Sequence, residues 1–121
     1  MSIQTSTETY PLIDREALDS LFEMLGDDVF DIIDKFIVHV PVQLKSLSDA
    51  LQQGNFESVK RITHQLKSSS ASLGVISFSM LCQTLENEAV KGKEEQVTQY
   101  LEAMRSLFVE VRGYFLDLKR I

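Results

Sequence analysis

Apolar residues recur at spacings of three and four along almost the whole chain, and single glycines at Gly26, Gly54, Gly74 and Gly92 punctuate the pattern. That period is the 3.6 residues of an α-helical turn and not the alternation of a strand. With five glycines and two prolines, the chain also lacks the breakers that the tight turns of a small sandwich or barrel require. Long helices follow. At 121 residues the chain supports one core and not two.

Residues 1–12 are rich in Ser and Thr and carry no period, which predicts a flexible tail ahead of one compact domain over residues 13–121. Asp14 caps a first helix whose stripe is Leu18, Leu21, Phe22 and Leu25, with Ile13 and Leu18 spaced as a hydrophobic staple. Gly26 ends it. Asp27 and Asp28 open the second helix, where negative charge suits the dipole. Its apolar positions run from Val29 through Ile32, Ile33 and Phe36 to Leu51 without losing phase at Pro41, which predicts a kink there and not a break.

Gly54 closes the second helix and Asn55 caps the third, about residues 55–72, which carries Phe56, Val59, Ile62, Leu66 and Leu73 and stops at Gly74. Ser77 is the predicted cap of the fourth, whose stripe is Phe78, Leu81, Cys82, Leu85 and Ala89 up to Gly92. The fifth runs from Val97 to Leu118 on a seam of spacings three and four. The expected fold is all-α: an antiparallel up-and-down four-helix bundle from the last four helices, with the short N-terminal helix covering one end.

Eighteen Asp and Glu against twelve Lys and Arg leave a net charge of −6, the wrong sign for a chain that neutralises many phosphates, so no nucleic acid is expected as partner. No apolar run approaches the roughly 18 residues of a membrane span, and nothing before Arg15 forms a secretory signal. With a single cysteine, Cys82, and two histidines, disulfides and structural zinc are not expected; a cytoplasmic protein fits best. Stripes buried inside the bundle predict a monomer.

Advancing about 100° per residue along the third helix gathers Phe56, Val59, Ile62, Thr63, Leu66, Ser70 and Leu73 on the core side. His64 falls on the outward side with Lys60, Arg61, Lys67, Ser68 and Ala71. An exposed imidazole with an ordinary pKa of about 6.5 is largely neutral near pH 7, and a neutral ring nitrogen is a competent nucleophile for a phosphoryl group. Lys67, one turn on, offers three donors to the charge of the adduct. By itself the spacing also fits an ordinary surface His among scattered charges. His39 has no companion at metal spacing and reads as a surface residue, and Cys82 lies on an apolar stripe where a free thiol acts as a small hydrophobe.

The stretch His64-Gln65-Leu66-Lys67-Ser68-Ser69-Ser70-Ala71-Ser72-Leu73-Gly74, followed by Leu81-Cys82-Gln83-Thr84-Leu85-Glu86, resembles the signature of histidine-containing phosphotransfer (HPt) domains, of the stand-alone bacterial type. The openings Leu18-Asp19-Ser20-Leu21 to Gly26-Asp27-Asp28 and Ala50 to Asn55 resemble that family's layout too, so that residues 13 to 120 are covered. The resemblance implies a four-helix bundle in which His64 takes a phosphoryl group from an aspartyl phosphate on a receiver domain and passes it to another. Lys67 would contact the phosphate, and Lys60, Arg61, Ser68 and Ala71 would form the docking surface. The partners would be receiver domains of response regulators and hybrid sensor histidine kinases. No cofactor is implied: there is no autokinase activity, and magnesium belongs to the receiver.

Ser68 departs from the glycine that many members carry after the Lys; its small side chain should preserve access, and its hydroxyl is placed to bond the phosphate. Glu86 stands where related domains carry Gln or Glu. It is expected either to accept a ring proton from His64 and fix the tautomer, or to remain a solvated margin residue. The rivals are an HPt-like adaptor that binds a receiver or kinase without being phosphorylated, and a helical-bundle enzyme with a metal or hydrolytic site, against which the scarcity of His argues.

Overall fold

The computed structural model describes residues 12–119, which form five helices and, among the described residues, no strand. They are α1 (Arg15–Leu25), α2 (Asp28–Gln52), α3 (Phe56–Ser72), α4 (Ile76–Val90) and α5 (Glu94–Lys119). Residues 1–11, most of the segment read as a tail, lie outside the described residues. Leu12, the last of that segment, is half-buried against the core, and its carbonyl accepts from Ser77 Oγ at 3.3 Å.

The first and third helices begin as their caps dictate. Asp14 Oδ1 accepts from Ala17 N at 3.3 Å and Asn55 Oδ1 from Ser58 N at 3.2 Å, so each satisfies an N–H that the first turn leaves without a partner. Ser77 does not cap α4. Val75 holds that position without a side-chain bond, and Ser77 is buried in the first turn, where its hydroxyl reaches Leu12. The fifth helix begins at Glu94, three residues ahead of its first apolar residue, because Glu94 and Glu95 suit the positive end of the helix dipole. α2 runs unbroken from Asp28 to Gln52 with Pro41 inside it.

α2 to α5 alternate in direction around one core, whose centre is aromatic. Phe36 lies 6.1 Å from both Phe108 and Phe115, ring centre to ring centre, and Phe78 lies 6.4 Å from Phe108. These are tilted or edge-on contacts between α2, α4 and α5, the geometry that ring quadrupoles favour. α1 covers the end of the bundle where α3 passes into α4. Asp14 N donates to Gly74 O at 2.7 Å, and Arg15 Nη1 donates to the Tyr114 hydroxyl at 2.7 Å. Gly74 is required twice over: its φ is +78°, and a Cβ there would stand 2.7 Å from the Asp14 carbonyl.

Three residues of the expected stripes are not in the core. Phe56, the first residue of α3, is 53% exposed, and Leu25 and Ile32 are also exposed. Phe56 and Leu25 stand at helix ends, where the neighbouring helices no longer cover the side chain, and Ile32 stands at the edge of the α2 stripe.

Candidate functional site

α3 divides as its periodicity requires. Val59, Ile62, Thr63, Leu66 and Ser70 are buried, whereas Lys60, Arg61, His64, Ser68 and Ala71 are exposed. His64 sits near the middle of the helix, and among the described residues its imidazole makes no hydrogen bond or ion pair. Both ring nitrogens are therefore open to an incoming group, and the small side chains of Ser68 and Ala71 leave the approach unobstructed.

The serine run that follows is mostly occupied. Ser70 Oγ donates to Leu66 O at 2.6 Å, Ser69 Oγ to the same carbonyl at 3.3 Å, and Ser72 Oγ to Ser68 O at 2.9 Å. Such back-bonding satisfies a buried hydroxyl without any partner outside the helix. Ser68 is the exception: among the described residues its hydroxyl makes no hydrogen bond, and it stands one turn beyond His64.

Lys67 differs from its expected position. The helical wheel sends it outward, yet it is half-buried, because its stem lies along the seam with α4 and its Nζ donates to Gln83 Oε1 at 2.5 Å. Ser79 Oγ donates to the Lys67 carbonyl at 3.3 Å and ties the same turn to α4 a second time. Gln83 lies within the stretch that carries the family resemblance, but the sequence reading assigned it no role; the signal that could have found it is its position one turn before Glu86 on the α3-facing side of α4.

Glu86 is half-buried on the same seam. Its Oε1 lies 3.3 Å from Thr63 Oγ1, a hydroxyl whose single proton has nearer acceptors in the Val59 and Lys60 carbonyls at 2.9 and 3.0 Å, and among the described residues the carboxylate makes no hydrogen bond to His64. Thr63 faces the interior and His64 faces solvent, so a carboxylate on the seam meets the residue before the imidazole. Beneath this layer Cys82 is fully buried, and burial pushes its thiol up to about 12 despite the nearby Lys67 charge. It is an inert core residue at neutral pH. His39 is exposed on α2. Among the described residues no three His, Cys, Asp or Glu side chains gather where they could hold a metal ion, and no helix is long and apolar enough to cross a membrane.

The four-helix bundle thus presents an exposed histidine in mid-helix, without a hydrogen bond among the described residues, and a lysine one turn further on. Residues 31–113 match the Hpt domain family. The chain is 31% identical over 94 residues to the phosphorelay protein LuxU of two strains of Vibrio vulnificus, and the match covers 77% of this chain and 82% of LuxU. The fold matches the crystal structure of histidine-containing phosphotransfer protein B from Pseudomonas aeruginosa with a TM-score of 0.85 at 28% identity, covering 91% of this chain and 96% of that one. A histidine-containing phosphotransfer protein from rice shares the fold, with a TM-score of 0.76 at 23% identity over 96% of this chain and 85% of its own. The chain belongs to the Hpt domain family. It is a phosphorelay intermediate of two-component signalling, and its partners are response regulators or kinases of such systems.

Proposed function

We propose that His64 is the phosphoacceptor of this relay. A neutral ring nitrogen attacks the phosphorus of an aspartyl phosphate on a receiver domain; the P–N bond forms as the P–O bond to the aspartate breaks, the aspartate leaves as a carboxylate, and the ring gives up its remaining proton to solvent. A second receiver then takes the group by the reverse chemistry. Lys67 and the Ser68 hydroxyl offer donors to the phosphoryl oxygens, while Lys60 and Arg61 face the acidic pocket of the receiver. The receivers belong to response regulators and hybrid sensor histidine kinases.

The protein brings no autokinase activity and no metal of its own, the receiver supplying magnesium, and it works as a cytoplasmic monomer that docks one receiver at a time. The observation that supports the reading best is the His64 imidazole itself: it is exposed, free of hydrogen bonds among the described residues, and flanked by small residues and a lysine. Incubation with a phosphorylated receiver should place an acid-labile, alkali-stable label on His64. His64→Gln should fold normally and take no label, because position 64 is exposed and glutamine is not a nucleophile. A parent protein that binds the receiver without acquiring label would make it an adaptor, and unchanged labelling of the mutant would move the site elsewhere. Association should slow as salt rises, since Lys60, Arg61 and Lys67 present positive charge on an acidic protein.

A further inference from the structure

The polar chain that leads away from Lys67 continues past Gln83. Gln83 Nε2 donates to Asn87 Oδ1 at 3.0 Å, one turn further along α4. The Lys67 ammonium carries donors only, so the side of the Gln83 amide that meets it must be the carbonyl. The NH2 group is then turned towards Asn87, whose side-chain oxygen receives it. Rotating the amide by half a turn would set donors against donors at Lys67 and, with Asn87 unchanged, two oxygens against each other at Asn87. The three side chains therefore share one hydrogen-bond polarity, running from Lys67 on α3 to Asn87 on α4.

We propose that Asn87 is a positioning residue: it holds the Gln83 amide with its carbonyl towards Lys67 and so keeps the Lys67 ammonium beside His64 before the phosphoryl group arrives. The inference rests on the reading of His64 as phosphoacceptor. One of the three ammonium protons is engaged by Gln83, which leaves two for the phosphoryl oxygens. Without an acceptor at position 87 the Gln83 amide rotates between orientations, only one of which receives the lysine. Lys67 then spends more of its time in solvent-directed rotamers, and ordering it falls to the transfer step. Asn87 is exposed and, among the described residues, its side chain makes no hydrogen bond other than the one from Gln83, so its effect reaches the site through Gln83 and Lys67.

Asn87→Leu removes the acceptor while keeping the size and a favourable helix propensity. Single-turnover transfer from a phosphorylated receiver should slow about three- to tenfold, the equivalent of one modest hydrogen bond, with receiver affinity unchanged. In a Lys67→Ala background the same substitution should have no further effect, because Asn87 acts through the lysine. The Lys67 ammonium protons, followed by nuclear magnetic resonance without any phosphate present, should exchange with water faster in Asn87→Leu and at the parental rate in Asn87→Asp, which retains an acceptor. Parental transfer by Asn87→Leu, an equal loss in the Lys67→Ala background, or unchanged ammonium exchange would each overturn the proposal. If the parent protein takes no label at all, the reading of His64 fails, and the exchange rates still decide whether Asn87 holds Gln83.

Discussion

The seam between α3 and α4 and the seam between α2 and α5 are built from different chemistry. Across the first, among the described residues, Lys67 reaches Gln83, Thr63 reaches Glu86, and Ser79 reaches the Lys67 carbonyl. Across the second the contacts are aromatic, from Phe36 to Phe108 and Phe115, and towards the far end the helices part to leave a groove of about 560 Å³ between Leu51 and Leu101. Polar groups in a partly buried seam must recover the hydration they give up, so they add little net stability. Rings packed edge to face contribute several kcal/mol each. The polar seam lies along the helix that carries His64; the aromatic seam packs the centre of the core. Substitutions in the two should therefore separate transfer from stability.

The largest expected loss of stability is in the aromatic seam. Phe115 is fully buried, and Phe115→Ala should cost about 3–5 kcal/mol by urea unfolding. The fraction that remains folded should still accept label at His64; a folded but unlabelled mutant would mean that the core governs the site directly.

Next in size is the turn at which α1 is seated. Gly54 and Gly74 both have positive φ, so alanine at either should cost roughly 1–2 kcal/mol. Nothing lies within 4 Å of a Cβ at Gly54, whereas one at Gly74 meets the Asp14 carbonyl, and Gly74→Ala should therefore be the more damaging by thermal melting. Equal losses would show that α1 moves aside without cost.

Lys67→Ala tests the polar seam directly. It should slow transfer about tenfold, or 1.4 kcal/mol in the barrier, and leave stability within about 0.5 kcal/mol of the parent. A drop in stability larger than the drop in rate would erase the contrast between the seams.

The pH dependence expected beneath the site is absent at neutral pH and develops only in alkali. The Cys82 thiol ionises at 9.0 when unfolded but holds its proton to about 12 in the fold. The folded state binds the extra proton, so this contribution is fully present below pH 9 and is lost as pH rises from there towards 12, at no more than about 1.4 kcal/mol per pH unit. Cys82→Ala should flatten that decline between pH 9 and 10.5, and an unchanged slope would assign the decline to other groups.

The helices, their order and the outward face of α3 were readable because they depend on local chemistry. Apolar spacing, the Asp14 and Asn55 caps and the glycine stops act within a turn or two of chain, and each predicts its element without knowledge of the neighbours. The exposure of His64 belongs to the same class, since a residue opposite the apolar stripe faces solvent in any bundle. Ser77 shows where local reasoning stops. Its sequence setting suits a cap, but its hydroxyl goes to a carbonyl 65 residues away.

The sequence by itself determined which residues point inward and which face solvent, His64 among them, because a helix of 3.6 residues per turn sorts side chains before any partner is chosen. Only the tertiary structure decided what the polar residues between those two faces bond to. Lys67 and Glu86 stand at the margin of a stripe, and a margin residue turns to solvent or to a neighbour according to which helix packs there and in what register. The contacts of Lys67 with Gln83 and of Thr63 with Glu86 follow from the antiparallel register of α3 against α4 across the short turn at Gly74, on which Asp14 of the distant N-terminal helix docks. Contacts of that kind join residues distant in sequence, and no period within a single helix encodes them.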